Sequence, residues 1–141
     1  MANAIYNSFK RDIANGSIDL DTNDIRIMLV TSDYAPNIDT HTKRSDIIGE
    51  VVGAGYTSGG VSLAGKTVTA NTTTDKGVFD ADDVVISAAT ITARGAILYK
   101  FSGSGTSQDN LICYLDFGAD ISSTAANFNI TFDAAGILTI G

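Results

Sequence analysis

The sequence predicts a mainly β protein: an antiparallel β-sandwich or barrel-like domain with one N-terminal α-helix. Three observations point there. From Gly53 onward, short apolar alternations recur at close spacing, separated by turns of Gly, Ser, Thr and Asp, which is the texture of a sandwich or barrel. Every acidic residue except Glu50 is an aspartate, and aspartate suits turns and caps better than helix interiors. Only the first segment carries helical periodicity. At 141 residues the chain is one domain, 1–141. A domain of that size buries roughly 68–70% of its unfolded surface, enough for a core without metals or disulfides. No repeat at a period of tens of residues is visible, which excludes a solenoid.

The helix is expected at about 4–14. Ile5, Phe9 and Ile13 fall at i, i+4 and i+8 on one face, Asn3 is placed to cap it, and Lys10 and Arg11 lie near its end, where cations suit the dipole. Asn15-Gly16 is the stop. A lone amphipathic helix ahead of a β domain must bury its apolar stripe, so Ile5, Phe9 and Ile13 are the candidate docking residues, against the domain's own end or against a partner.

Ser17–Asp21 reads as a short strand. Ile25–Val30 reads as a strand buried on one face and half-buried on the other. Tyr34-Ala35-Pro36-Asn37 is a turn holding the only proline, and a short helix is expected around Lys43–Ile48. Gly53–Gly60 is a flexible loop. Strands follow at Val61–Leu63, Thr67–Ala70, Gly77–Asp80 and Val84–Ser87. Thr90–Phe101 is the longest strand pattern, and Gly95 inside it marks a bulge or a close backbone contact. Ser102–Asp109 is a hairpin loop and Leu111–Phe117 its returning strand. Phe128–Phe132 and Ile137–Ile140 read as a closing hairpin around Asp133–Gly136. Ile27, Leu29, Ile97, Tyr99, Ile112, Tyr114 and Ile130 are expected in the core.

Several motifs imitate chemistry. Gly60–Thr67 matches the phosphate-binding pattern G-x-x-x-x-G-K-[ST] letter for letter. That loop works only when a helix follows at once and its N-terminus cradles phosphate. Val68-Thr69-Ala70-Asn71-Thr72-Thr73-Thr74 follows instead, β-branched and poor at starting a helix. A hairpin turning near Ala64-Gly65-Lys66 is the better reading. Asp116-Phe117-Gly118 imitates a kinase magnesium motif, but no H-R-D precedes it. Asp19, Asp21 and Asn23 open like an EF-hand loop, yet Asp24 stands where glycine is needed and Val30 where glutamate is needed. Asp80, Asp82 and Asp83 form a second acidic knot, which reads as a solvated turn. His41 is the only histidine and Cys113 the only cysteine. A zinc site, an intrachain disulfide and a histidine-activated serine therefore all lack support, and Cys113 in the run Leu111–Leu115 reads as a buried, inert thiol. No catalytic, cofactor or metal residue is assigned.

Composition narrows the partners. The formal charge is −7, with Lys and Arg scattered, so no basic stripe tracks phosphates and nucleic acid is excluded as a partner. No stretch approaches ~18 uninterrupted apolar residues, and the N-terminus lacks the layout of a signal peptide. The expectation is synthesis in a cytosol and no membrane association.

The opening Ala2–Ile13, then Asn15–Asp21 and Ile27–Thr31, resembles small virion structural proteins of tailed bacteriophages. Gly55-Tyr56-Thr57, Phe79–Val84, Ile91–Ala96 and Tyr114–Gly118 agree, so the resemblance covers most of the chain. It implies a non-enzymatic building block of the particle, made in the host cytoplasm and carried in the virion. Acidic charge and β texture favour a decoration (cement) protein that clamps the major capsid protein from outside. A tail-tip or fibre-associated adaptor is the alternative, and a small carbohydrate-binding module on the virion is the second. Self-association as a dimer or trimer is expected of such parts.

Overall fold

The structure is a computed structural model that describes residues 2–141. Its strands are β1 (Ala4–Ile5), β2 (Ile25–Val30), β3 (Val61–Ser62), β4 (Thr67–Asn71), β5 (Lys76–Asp80), β6 (Val84–Lys100), β7 (Asn110–Ile130) and β8 (Leu138–Ile140), with one α-helix, α1 (Asn7–Ala14). All pairings are antiparallel. Five strands form one sheet in the order β1-β7-β6-β2-β3, and three form a second in the order β4-β5-β8. The sheets do not close into a barrel, so of the two expected architectures the sandwich-like one is present.

The frame is the β6–β7 hairpin, paired from Lys100↔Asn110 at its tip to Val84↔Ile130 at its base with four register shifts along the way. Two of the predicted strands, Val84–Ser87 and Thr90–Phe101, are one strand interrupted by bulges. Gly95 sits at one of these irregularities. A methyl group there would lie 2.6 Å from the Leu115 carbonyl oxygen and 2.7 Å from the Tyr114 ring, so both parts of the glycine expectation hold. Between Gly95↔Asp116 and Ala93↔Ile121, the single β6 residue Arg94 stands opposite the β7 stretch Phe117 to Asp120.

Alternation along the strands fills two apolar clusters. Ile27, Leu29, Ala96 and Leu98 point to the larger one, which also takes Phe79 and Leu138 from the second sheet and Phe9 from α1. Met28, Val30, Ile97 and Tyr99 point the other way, into a smaller cluster with Tyr6, Tyr34 and Ile47. That second cluster exists because the irregular segment after β2 folds back over the sheet, pinned by the bridge Val30↔Glu50. Strand β2 is thus buried on both faces rather than half-buried on one. All seven residues expected in the core are buried.

Four expectations are corrected. The helix begins at Asn7, not near 4, because Ile5 is taken by β7: Ala4 pairs with Tyr114 and Ile5 with Cys113. Tyr6 stands at the N-cap without a side-chain cap, while the Asn3 side chain accepts the Asp116 N–H at 2.6 Å. Ser17–Asp21 is a turn, built on the Asp19 carboxylate accepting the Asp21 and Thr22 N–H groups. Lys43–Ile48 is one 3-10 turn, Arg44–Asp46. The fourth correction concerns pairing. β3 pairs with β2 and β4 with β5, so the chain around Gly65 steps from one sheet to the other instead of making a hairpin. Likewise Phe128–Ile130 pairs with β6 and β8 with β5, so the closing hairpin is a crossover between sheets.

Candidate docking surfaces

The sequence motifs resolve into structural parts. After Thr67 comes strand β4, not a helix, so the phosphate-like loop has no helix N-terminus to offer. The Lys66 ammonium donates to the Asn23 carbonyl. Gly60, at φ +72°, packs so closely on the Ile27 carbonyl that a Cβ would overlap it, and Gly65, at φ +62°, abuts the Asp82 carboxylate. Both glycines serve chain packing.

Other polar side chains are equally engaged. Glu50 accepts from the Tyr56 hydroxyl, the Ser58 hydroxyl and the Gly59 N–H, each at 2.8 Å, and the Tyr56 oxygen accepts the Leu29 N–H at 2.9 Å. This ties the covering segment to β2. Burial pushes the Tyr56 phenol far above its ordinary value. Tyr6 and Tyr34 share a hydroxyl contact of 2.6 Å, and Tyr34 meets His41 Nδ1 at 2.8 Å. Burial raises both phenols, Tyr34 to about 12, so they remain neutral spacers between β1 and the covering segment rather than proton-transfer groups near neutrality. Asp116 is held by Arg94 at 2.9 Å and by the Gly118 N–H at 2.8 Å. The acidic knots do not converge: Asp83 accepts the Phe132 N–H and Asp80 the Ala81 N–H, and among the described residues no group of three potential metal ligands forms.

Apart from Ile38 and Val85, the exposed large apolar residues fall on three surfaces. The first is the helix face. Of the predicted docking residues, Phe9 is fully buried in the main core, Ile5 lies on β1 rather than on the helix, and Ile13 is half-buried. Ile5 and Ile13 line a groove of about 330 Å³ together with Lys10 and Ile140. Ile13 also borders a second groove toward Val68, and Ile140 and Val68 are exposed. The second surface is on the covering segment, where Ile48 is exposed and Val52 is 95% exposed. The third is the far half of β7, where Ile121 is exposed beside a groove of about 370 Å³ lined by Phe117, Phe128 and Ile130. Sequence reading missed the last two. Isolated exposed apolar residues leave no periodic signal, and Ile121–Asn127 looks polar because both of its faces meet water.

No aromatic ring stands exposed on these surfaces. Among the described residues eight of the tyrosines and phenylalanines are buried, three are half-buried and none is exposed. No described helix is long and apolar enough to cross a membrane. No protein-family model, curated protein or solved structure matches the chain.

Proposed function

We propose that the protein is a non-enzymatic structural component of a tailed-phage virion, a decoration protein that binds the head from outside. What carries this reading is the resemblance of segments between Ala2 and Gly118, spread over most of the chain, to small virion structural proteins of tailed bacteriophages. The engagement of Lys66, His41 and Asp116 in holding the backbone supports it, since each of these imitators of chemistry has a structural duty. An acidic surface fits a position away from packaged DNA. Sugar-binding modules commonly stack their ligand on exposed aromatic rings, and none of the described rings is exposed, so the structure adds no support to that alternative.

The docking element is the groove between α1 and β8. Phe9 fixes the helix on the core, and Ile5, Ile13 and Ile140 offer apolar surface to the major capsid protein. Removing residues 2–14 would not isolate this contact, because it also strips Tyr6 and Phe9 from the two cores. Ile13→Asp is the cleaner probe. Heads lacking the protein are expected to keep normal shape but to burst sooner on heating or on magnesium removal. Added wild-type protein restores resistance, saturating with the capsid lattice, and Ile13→Asp protein with an unchanged melting temperature does not. Depleted heads as robust as normal ones, with tail assembly or adsorption failing instead, would place the protein in the tail.

A further inference from the structure

Val84–Ala93 of β6 and Ile121–Ile130 of β7 pair as a two-stranded ribbon that contains no charged side chain. In a chain of net charge −7 this is an unusual stretch. The ribbon runs past its neighbours. Pairing of β2 with β6 stops at Gly95, and pairing of β1 with β7 stops at Tyr114. On the β6 side a single bridge, Ala54↔Thr90, continues the cover. On the β7 side no described strand lies beyond Asp116, so the backbone edge from Phe117 to Ile130 is open.

The ribbon is firmly seated. Val84, Ile86, Ala89 and Ile91 on one strand, with Phe128 and Ile130 on the other, are buried in the main core. Its outer row, including Thr92, Ser122, Thr124 and Asn129, is exposed and neutral. Open edges are usually blunted by lysine, proline, a β-bulge or a covering loop, and here only the irregularities near Ala88 and Ala125 interrupt the ribbon. Between Phe117 and Ile130 there is no lysine and no proline, and Asp120 is the one charge.

We propose that this edge is a homodimer interface in which β7 of one copy pairs antiparallel with β7 of a second copy across a twofold axis. Charge selects the occupant. Two acidic chains repel each other, and the ribbon lets them meet without opposed carboxylates. A basic partner would gain nothing from an edge stripped of acids. Geometry agrees, because an antiparallel pair of identical edges is self-complementary about a twofold, as an isologous contact requires. The groove beside the edge, with Ile121 43% exposed at its rim, supplies apolar area to bury. Ala125 takes φ +45°, a local irregularity that confines regular pairing to short stretches on either side of it and disfavours extended stacking. The outermost strands of the two sheets, β1, β3, β4 and β8, are five residues or shorter, so they offer little length for further strand pairing. This inference is independent of the particle reading.

Sedimentation velocity on the full chain tests it. The wild type is expected to sediment as a concentration-dependent dimer. Thr124→Lys sets two cations facing each other near the axis and should raise the dimer dissociation constant roughly tenfold or more, close to 1.4 kcal/mol or above. Its melting temperature, extrapolated to monomer conditions, should be unchanged. Ser122→Lys serves if Thr124→Lys misfolds. Single cysteines at Ser122, Thr124 and Ala126 give an independent readout, since native Cys113 is buried. At least one should oxidise to a disulfide-linked dimer, while a cysteine at Val52 should not. A monomeric wild type, a trimer, or a dimer indifferent to both lysines would overturn the proposal.

Discussion

The Arg44 guanidinium lies 3.2 Å from the Asp109 carboxylate, whose side chain has no exposed surface. Arg44 belongs to the covering segment and Asp109 to the tip of the β6–β7 hairpin, so the pair clamps cover to sheet. The Arg44 N–H also donates to the Asp109 carbonyl at 2.9 Å. The other carboxylate oxygen accepts the Ser102 N–H and hydroxyl at 2.8 and 2.7 Å. Arg44 in turn sits over the Tyr99 ring, and the Tyr99 hydroxyl donates to the Gly59 carbonyl. Removing one member of such a pair leaves a buried charge unmatched. Arg44→Ala should cost about 3–5 kcal/mol in urea unfolding. Asp109→Asn keeps the Ser102 contacts and should cost about 1–3 kcal/mol. Equal losses below about 0.5 kcal/mol for both would mean that the pair is open to water.

Gly60 and Lys66 carry the phosphate-loop signature, and they should separate cleanly by mutation. Gly60→Ala forces a methyl group into the Ile27 carbonyl at a left-handed backbone position and should destabilise by more than about 2 kcal/mol. Lys66→Ala loses one hydrogen bond to Asn23 and should cost about 1 kcal/mol or less. Neither wild type nor variant should show a thermal shift with magnesium ATP. A shift in the wild type that disappears in Lys66→Ala would restore the nucleotide reading.

Alternation made the core legible. Leu29 and Ile112, placed inside from sequence, have at most 1% of their surface exposed, and truncating either to alanine should cost about 2–5 kcal/mol. Chemical denaturation measures it, and losses under about 0.5 kcal/mol at both sites would mean that the core relaxes around them.

Pairing was less legible than burial, for reasons that can be named. Val61–Leu63 and Thr67–Ala70 look like the arms of a hairpin because they are adjacent. Leu63 is drawn into the main core and its N–H to the Ile25 carbonyl, which commits that strand to β2, whereas Val68 of β4 pairs with Phe79 of β5. Ile5 fits a helical stripe and a strand equally well, and contact with Cys113 decides in favour of the strand. The Gly118–Asn127 stretch of β7 carries no apolar alternation, because it is held by β6 and exposed beyond it. The docking trio was half legible. Phe9 and Ile13 share the helix, but core burial claims Phe9.

Cys113 is buried on every side, and burial pushes its thiol up to about 12. The thiolate is the reactive form, so labelling of the folded protein by a disulfide reagent should be negligible near neutrality and should rise only with unfolding. Its rate should follow denaturant concentration and not modest changes in pH. Rapid labelling of native protein would mean that β7 separates from β1 on the reagent's timescale.

Acid should unfold the protein through a few aspartates. Asp46 holds its proton more weakly than a free carboxyl because the Thr42 and Lys43 N–H groups bond its ionised form. Asp116 is shifted the same way by the Arg94 guanidinium, then by the Gly118 N–H. A folded value below the unfolded one means that the native state binds protons less tightly. The stabilisation is complete above the ordinary value of 3.8 and is lost as pH falls through the depressed folded value. The melting temperature should therefore hold down to about pH 5 and fall below about pH 4. Asp46→Asn should melt lower than wild type at neutral pH and show a shallower acid limb, since one titrating group is gone. Both aspartates are near the surface, so added salt should shrink the Arg94 contribution more than the backbone-bonded one. A melting temperature that rises toward pH 3, or an unchanged acid limb in Asp46→Asn, would locate the acid sensitivity in other groups.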